Sequence, residues 1–259
     1  MKLFSRLYPY KDLLFVYIWR EFSIRYKQSL LGVLWAIIQP LSMMLLFTFI
    51  FTYILKLEVS NYPKALFFYA GALSWTLFSS SVTGSIGSLS DNYDLITQIY
   101  FPREILPISR VVLGIMDFLI AFIIFILLMV YFKMDFTLNF LWIVPLLCLL
   151  IIFSTALSFL FSSLNVYYRD VGLASGFFVQ LLFFLSPVWY SIDHLNVKLK
   201  LILFLNPLTF IIENIRRCTL EGRDVILWQF LLVTAIICVF YVLSYKLFIK
   251  IERNFADVI

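Results

Sequence analysis

Residues 25–55 read RYKQSLLGVLWAIIQPLSMMLLFTFIFTYIL. Arg25 and Lys27 stand before a run without charge from Gln28 to Leu55, 28 residues in all. At about 1.5 Å per residue, that run crosses a hydrocarbon core of ~30 Å as a tilted helix. Cations before a span are the flank that cells retain in the cytoplasm. The stretch therefore reads as a first transmembrane helix that starts inside, with Leu31-Gly32 at its entry and Pro40 within it.

Composition extends this reading to the whole chain. Of 259 residues, 63% are hydrophobic and 14% charged, with mean hydropathy +0.99. A soluble domain carries about 25% charged residues, so the chain reads as an all-α polytopic membrane protein. No stretch is polar and long enough to fold as a separate soluble domain. The net charge of +5 follows from a positive-inside bias and lipid headgroups, with no need for nucleic acid as a partner. The first apolar run is too long and begins too late for a secretory signal. Cys148 and Cys238 lie in apolar runs and Cys218 in a polar loop, which gives neither a disulfide framework nor a metal spacing. A single histidine, His194, excludes His-rich metal or relay chemistry.

Before the first span, residues 1–27 mix six cations with aromatics, and their uncharged core, Leu13–Trp19, is too short to span. They form either a helix at the cytoplasmic interface, anchored by Tyr10, Tyr17 and Trp19, or a basic leader that sets topology. The second span is Ala65–Ser90, ending in the small residues Ser79–Ser81, Gly84 and Gly87, which suit close helix packing in lipid. An inner stretch follows, DNYDLITQIYFPREILPISR (91–110). Asp91 is placed to cap a short helix over 91–100 and Asp94 to face its positive end. Pro102 and Pro107 are expected to break the chain before the third span. Such a helix between spans is either a docking element for a partner or a plain surface helix. The Asp91-x-x-Asp94 spacing also occurs at metal-diphosphate sites of prenyl-transferring enzymes, but no second aspartate-rich cluster completes one here.

The third span, Val111–Phe132, holds Asp117, whose place near the inner end implies a partner on a neighbouring helix or interfacial water. A fourth, kinked at Pro145, lies within 136–168, and a fifth covers Val171–Ile192. Residues 193–224 form the long outer loop, with short re-entrant or interfacial helices around Asn206-Pro207, and a sixth span covers Val225–Tyr245. On this topology twelve of the 20 Lys/Arg lie inside and eight outside, five of those in the long loop. The expectation is one transmembrane domain over 1–259: interface helix 1–27, five spans in 28–192, hairpin 193–224, and the last span with a tail in 225–259. Both termini are cytoplasmic.

No phosphate-loop motif G-x-x-x-x-G-K-[ST] occurs, nor a relay of buried acids and bases, nor a catalytic constellation. A pump built on this chain must take its energy from another subunit. Four tags, SLLGVLWAIIQPL (29–41), YFPREILPISR (100–110), Asn165-x-x-x-Arg169-Asp170-Val171 and Asn206-Pro207-Leu208, occur in order. In these the chain resembles the transmembrane subunit of ABC-2 type polysaccharide exporters, above all the O-antigen exporter permease, with teichoic-acid and capsule permeases as neighbours.

That resemblance implies a homodimer in the bacterial inner membrane bound to two ABC ATPase subunits. The ATPases hold ATP and Mg, and this chain binds no cofactor or metal and is not an enzyme. The cargo it implies is a polysaccharide linked to a polyprenyl diphosphate. It assigns ATPase coupling to Asp91, Tyr93, Asp94 and Leu95, and lipid-diphosphate entry to Leu31 and Gly32, to which the cations Arg25, Lys27 and Arg169 add charge. Residues 193–224 correspond to a periplasmic helical hairpin. Among the 19% aromatic residues, Trp35, Trp189 and Tyr190 are the expected glycan-channel positions, with interfacial anchoring in lipid as the alternative for each. A small-lipid or drug permease of the same fold and a membrane enzyme acting on polyprenyl phosphates are the rival readings.

Overall fold

The computed structural model describes residues 6–27, 29–56, 62–168, 170–192 and 195–252. Among them are ten α-helices. We name them α1 (Lys11–Tyr26), α2 (Trp35–Phe49), α3 (Lys64–Ile86), α4 (Tyr93–Gln98), α5 (Ile105–Tyr131), α6 (Ile143–Tyr167), α7 (Asp170–Leu185), α8 (Val197–Phe204), α9 (Pro207–Thr219) and α10 (Leu227–Glu252). Five are long and apolar enough to cross a membrane: α2 with its flanking turns (Gly32–Ile54), α3, α5, α6 with its leading 3-10 turn (Leu138–Tyr167), and α10.

Helix α3 lies at the centre, with Phe68, Tyr69, Phe78 and Val82 fully buried. Its small residues do what the sequence suggests. A Cβ on Gly114 of α5 would collide with Ser81 Oγ and come within 3.2 Å of Ser80 Oγ, so the two helices meet at backbone distance. Ser85 Oγ donates to the carbonyl of Pro107 (3.3 Å), and Ser158 Oγ of α6 donates to the carbonyl of Ser81 (3.4 Å).

The prolines act differently from expectation. Pro107 and Pro145 both lie in the first turn of their helices, α5 and α6. An N–H is not needed there, so neither breaks nor kinks its helix. Pro40 lies inside α2, which ends in a π-helical turn, Ile50–Ile54.

The expected fifth span, Val171–Ile192, is not one continuous helix. Helix α7 stops at Leu185, before Ser186-Pro187, and at 16 residues is about 24 Å long. Buried Ser186, Pro187 and Val188 continue as irregular backbone. Buried polar backbone needs a hydrogen-bond partner, and Arg216 of α9 provides it. It is 3% exposed and donates to the carbonyls of Phe67 (3.1 Å), Pro187 (2.5 Å) and Val188 (2.7 Å), with its guanidinium 3.6 Å from the Phe67 ring centre. Gly71 makes room: a Cβ there would strike both Arg216 and the Val188 carbonyl. Asn206 fixes the same segment through Ser186 Oγ (2.9 Å) and caps α9 at Leu208 N–H (3.0 Å).

The stretch expected as a polar outer loop thus contains a buried helix, α9. Cys218, expected in that loop, is 1% exposed in α9 and bonds the Asn214 carbonyl.

Arg216→Ala leaves three buried carbonyls to find other partners. At about 1–3 kcal/mol for each unsatisfied group, the expected loss is at least about 3 kcal/mol. Thermal unfolding in detergent should show a large fall in midpoint for Arg216→Ala and for Gly71→Ala. Arg223→Ala, at a largely exposed side chain, should leave the midpoint near that of the parent.

Candidate functional site

Charged residues from before the first and third long helices, within the third and at the end of the last come together around α1. Helix α1 follows a 3-10 turn containing Pro9 and has no internal Gly or Pro. It does not present its charges only to solvent. Tyr17, Glu21 and Tyr26 are buried. Tyr17, expected to anchor in the interface, instead packs in a cluster with Leu89, Ile96, Phe101 and Phe248.

Four polar ties fix α1 to the bundle. Arg6, just before it, pairs with Glu104 (2.9 Å) and Glu252 (3.2 Å). Arg20 Nη1 donates to the side-chain oxygen of Asn92 (3.1 Å), which Tyr17 OH also reaches (3.4 Å). Glu21 pairs with Arg110 of α5 at 2.8 Å. At the end of α1, Arg25 donates to Asp117 Oδ2 (2.8 Å) and Tyr26 OH donates to Asp117 Oδ1. Asp117 thus has protein partners, supplied by α1.

The short helix α4 is anchored on one side and open on the other. Asn92 and Ile96 are buried, and the amide of Asn92 donates to the Ser88 carbonyl (2.9 Å). Tyr93 is 41% exposed, Asp94 is exposed, and Leu95 is half-buried. Asp91 does not cap the helix as expected. It lies in a preceding 3-10 turn, Ser90–Asn92, with its carboxylate against Gly87. The helix is shorter than the expected 91–100: it ends at Gln98, and Ile99 is already extended.

Of the expected lipid-entry residues, Arg25, Lys27, Leu31 and Gly32 come together. The turn folds back on α1, where Ser29 N–H donates to the Tyr26 carbonyl (3.3 Å) and Gly32 N–H to the Ser29 carbonyl (3.2 Å). Gly32 has φ +50°, a conformation that favours glycine. Lys27 and Leu31 are exposed. Arg169 lies outside the described residues, as do Asp193 and His194.

Among the expected channel aromatics, Trp35 is 49% exposed at the start of α2. Trp189 and Tyr190 lie towards the opposite end, following the segment that Arg216 holds. Trp189 is half-buried, stacked on Phe47 (centroids 6.5 Å) and near Phe51 (6.3 Å). Tyr190 meets it edge-on at 5.0 Å.

Sequence reasoning missed Asn92, Glu104, Glu21 and Arg216. Asn206-Pro207 did carry a signal for α9, as a helix cap followed by proline in the first turn. The partners of all four side chains are remote in sequence.

Burial and the nearby Glu252 hold the Glu104 carboxyl above its ordinary value of 4.5, against the opposing pull of Arg6. A carboxyl raised in the folded state binds its proton more tightly there than in the unfolded chain. Its stabilising protonation is complete below about pH 4.5 and is lost as pH rises through the folded value. Glu104→Gln removes that loss. The difference in unfolding midpoint between Glu104→Gln and the parent should therefore move in favour of the variant as pH is raised from 4.5 to neutrality.

Comparison with known proteins bears on the whole chain. Residues 12–220 match the ABC-2 type transporter family. Over 250 residues the chain is 29% identical to an O-antigen export system permease protein of Klebsiella pneumoniae, covering 96% of this chain and 95% of that one. It is 29% identical to the Myxococcus xanthus O-antigen export system permease protein, covering 86% of each. With a polysialic acid transport protein of Escherichia coli it shares 26% identity, over 78% of this chain and 79% of that one.

Proposed function

Because the chain belongs to the ABC-2 type transporter family, as a membrane permease without an ATPase domain, we propose that it is the membrane-spanning subunit of an ATP-driven exporter. Its cargo on this reading is a polyprenyl-diphosphate-linked polysaccharide of the O-antigen type, moved from the cytoplasm to the periplasm. The observation that carries this is the collinear likeness to O-antigen export permeases over 96% of the chain.

The exporter is a homodimer in the bacterial inner membrane with two ABC ATPase subunits, which bind ATP and Mg. Each protomer crosses six times: the five long helices, and α7 completed by the irregular segment after it. Both termini are cytoplasmic, and α8 and α9 make the periplasmic hairpin. Helix α4 is the coupling element, because its base is fixed by Asn92 and Ile96 while Tyr93 and Asp94 face outward. Arg25, Lys27, Leu31, Gly32 and Arg169 receive the lipid diphosphate at the inner mouth. A guanidinium matches phosphate oxygens, and Gly32 lets the backbone approach closely. Trp35, Trp189 and Tyr190 offer flat faces with a polar handle to sugar rings. Capsule export is the second reading, favoured by the 26% identity to the polysialic acid transport protein.

Co-expression with the cognate ABC ATPase provides the test. The two should co-purify, and Tyr93→Ala or Asp94→Lys should lower ATPase recovery or uncouple hydrolysis from export, with membrane insertion intact. Loss of the chain should leave a lipid-linked glycan on the cytoplasmic side, whose analysis separates O-antigen from capsule polymer. Full export by a chain with scrambled residues 92–98 would overturn the coupling assignment.

A further inference from the structure

Asp117 is the one acid in the interior of the five long helices, since Glu252 stands at the very end of its own. A carboxylate at such a place is costly unless paired. Here both oxygens are engaged by consecutive residues that end α1, Arg25 at 2.8 Å on Oδ2 and the Tyr26 hydroxyl on Oδ1. These two partners are not equivalent. The Arg25 side chain is 41% exposed, whereas Tyr26 is 6% exposed and the Asp117 side chain 15%. Next to them stand the exposed Lys27 and the turn that folds back on the Tyr26 carbonyl.

We propose that Asp117 is an exchangeable counter-ion for Arg25, occupying the place on its guanidinium that a lipid-linked phosphate takes during loading. The inference rests on the reading of Arg25 and Lys27 as the diphosphate entry. The planar guanidinium fork binds carboxylate and phosphate oxygens with the same geometry. Breaking a buried ion pair is costly because it strands a charge, but here the incoming anion pairs Arg25 and the Tyr26 hydroxyl remains to hold Asp117. Charge completes the argument. Arg25 and Lys27 carry two positive charges, of which Asp117 cancels one, and a diphosphate needs both. Tyr26 stays on Asp117 through the exchange and keeps the released carboxylate hydrogen-bonded inside the span. Asp117 thereby weakens diphosphate binding and favours its onward release.

The test uses the transporter with its ATPase in phosphatidylethanolamine nanodiscs, titrated with a fluorescent polyprenyl diphosphate. Asp117→Asn keeps the shape and removes the competing charge, and should tighten binding about three- to tenfold, the scale of one partly exposed charge interaction. Tyr26→Phe leaves Arg25 as the sole partner of Asp117 and should weaken binding. In a chain that already carries Arg25→Gln, adding Asp117→Asn should change nothing. A structural role for Asp117 would move Asp117→Asn and Tyr26→Phe in the same direction, and that outcome overturns the exchange. Parent binding that is absent or indifferent to Arg25→Gln overturns the entry reading and the exchange with it. Competition by inorganic pyrophosphate and by phosphatidic acid separates recognition of the diphosphate from attraction of any anionic headgroup. If Asp117→Asn does not assemble, the fall expected of Tyr26→Phe decides the matter, and unchanged or tighter binding by that variant rejects the proposal.

Discussion

Apolar side chains gain little by leaving lipid tails, so helices in a bilayer hold together by close backbone approach and buried polar bonds. The contact of Lys64–Ile86 with Ile105–Tyr131 meets that constraint. Gly114 sits on Ser80 and Ser81 with no room for a methyl group, and Ser80 and Ser85 turn their hydroxyls to backbone carbonyls. Two further elements are tied to this pair. Ile143–Tyr167 reaches it through Ser158, and Pro207–Thr219 reaches its far end through Arg216.

Helix Lys11–Tyr26 is secured in another way. An interfacial helix ordinarily turns its charges to water and its apolar face to lipid. This one turns Glu21 inward to Arg110 and ends on Asp117, while Arg20 and Tyr17 hold Asn92 at the base of Tyr93–Gln98. One rigid segment thereby connects the short exposed helix between the second and third long helices to the Leu31-Gly32 turn. Ion pairs and a shared apolar cluster around Tyr17, Leu89 and Ile96 fasten that segment to the bundle.

Much of this was legible in the sequence, because lipid imposes a simple rule on length and charge. The long apolar runs, the close contact made by small residues and the short helix after Asp91 all follow from local pattern. What escaped was non-local. Arg25 and Asp117 are 92 positions apart, and nothing in either segment names the other. Pro107 reads as a breaker and Pro145 as a kink because the first turn of a helix is set by where the chain enters the bundle. Val171–Ile192 read as continuous because its hydropathy is continuous. The stop at Ser186-Pro187 is tolerated only because an arginine from another element satisfies the carbonyls. Arg216 itself resembled a solvated loop charge, since its partners are backbone atoms without any sequence signature.

The break after Leu185 also sets a rule for how this protein can diverge. Three carbonyls facing one guanidinium from different segments need a planar group with several fixed donors, which a lysine ammonium does not provide. The space that group occupies is the space a side chain at position 71 would fill. The glycine and the arginine, though remote in sequence, are therefore one unit of inheritance. A chain with a continuous helix through Ser186-Pro187 would need neither, and one with the break needs both.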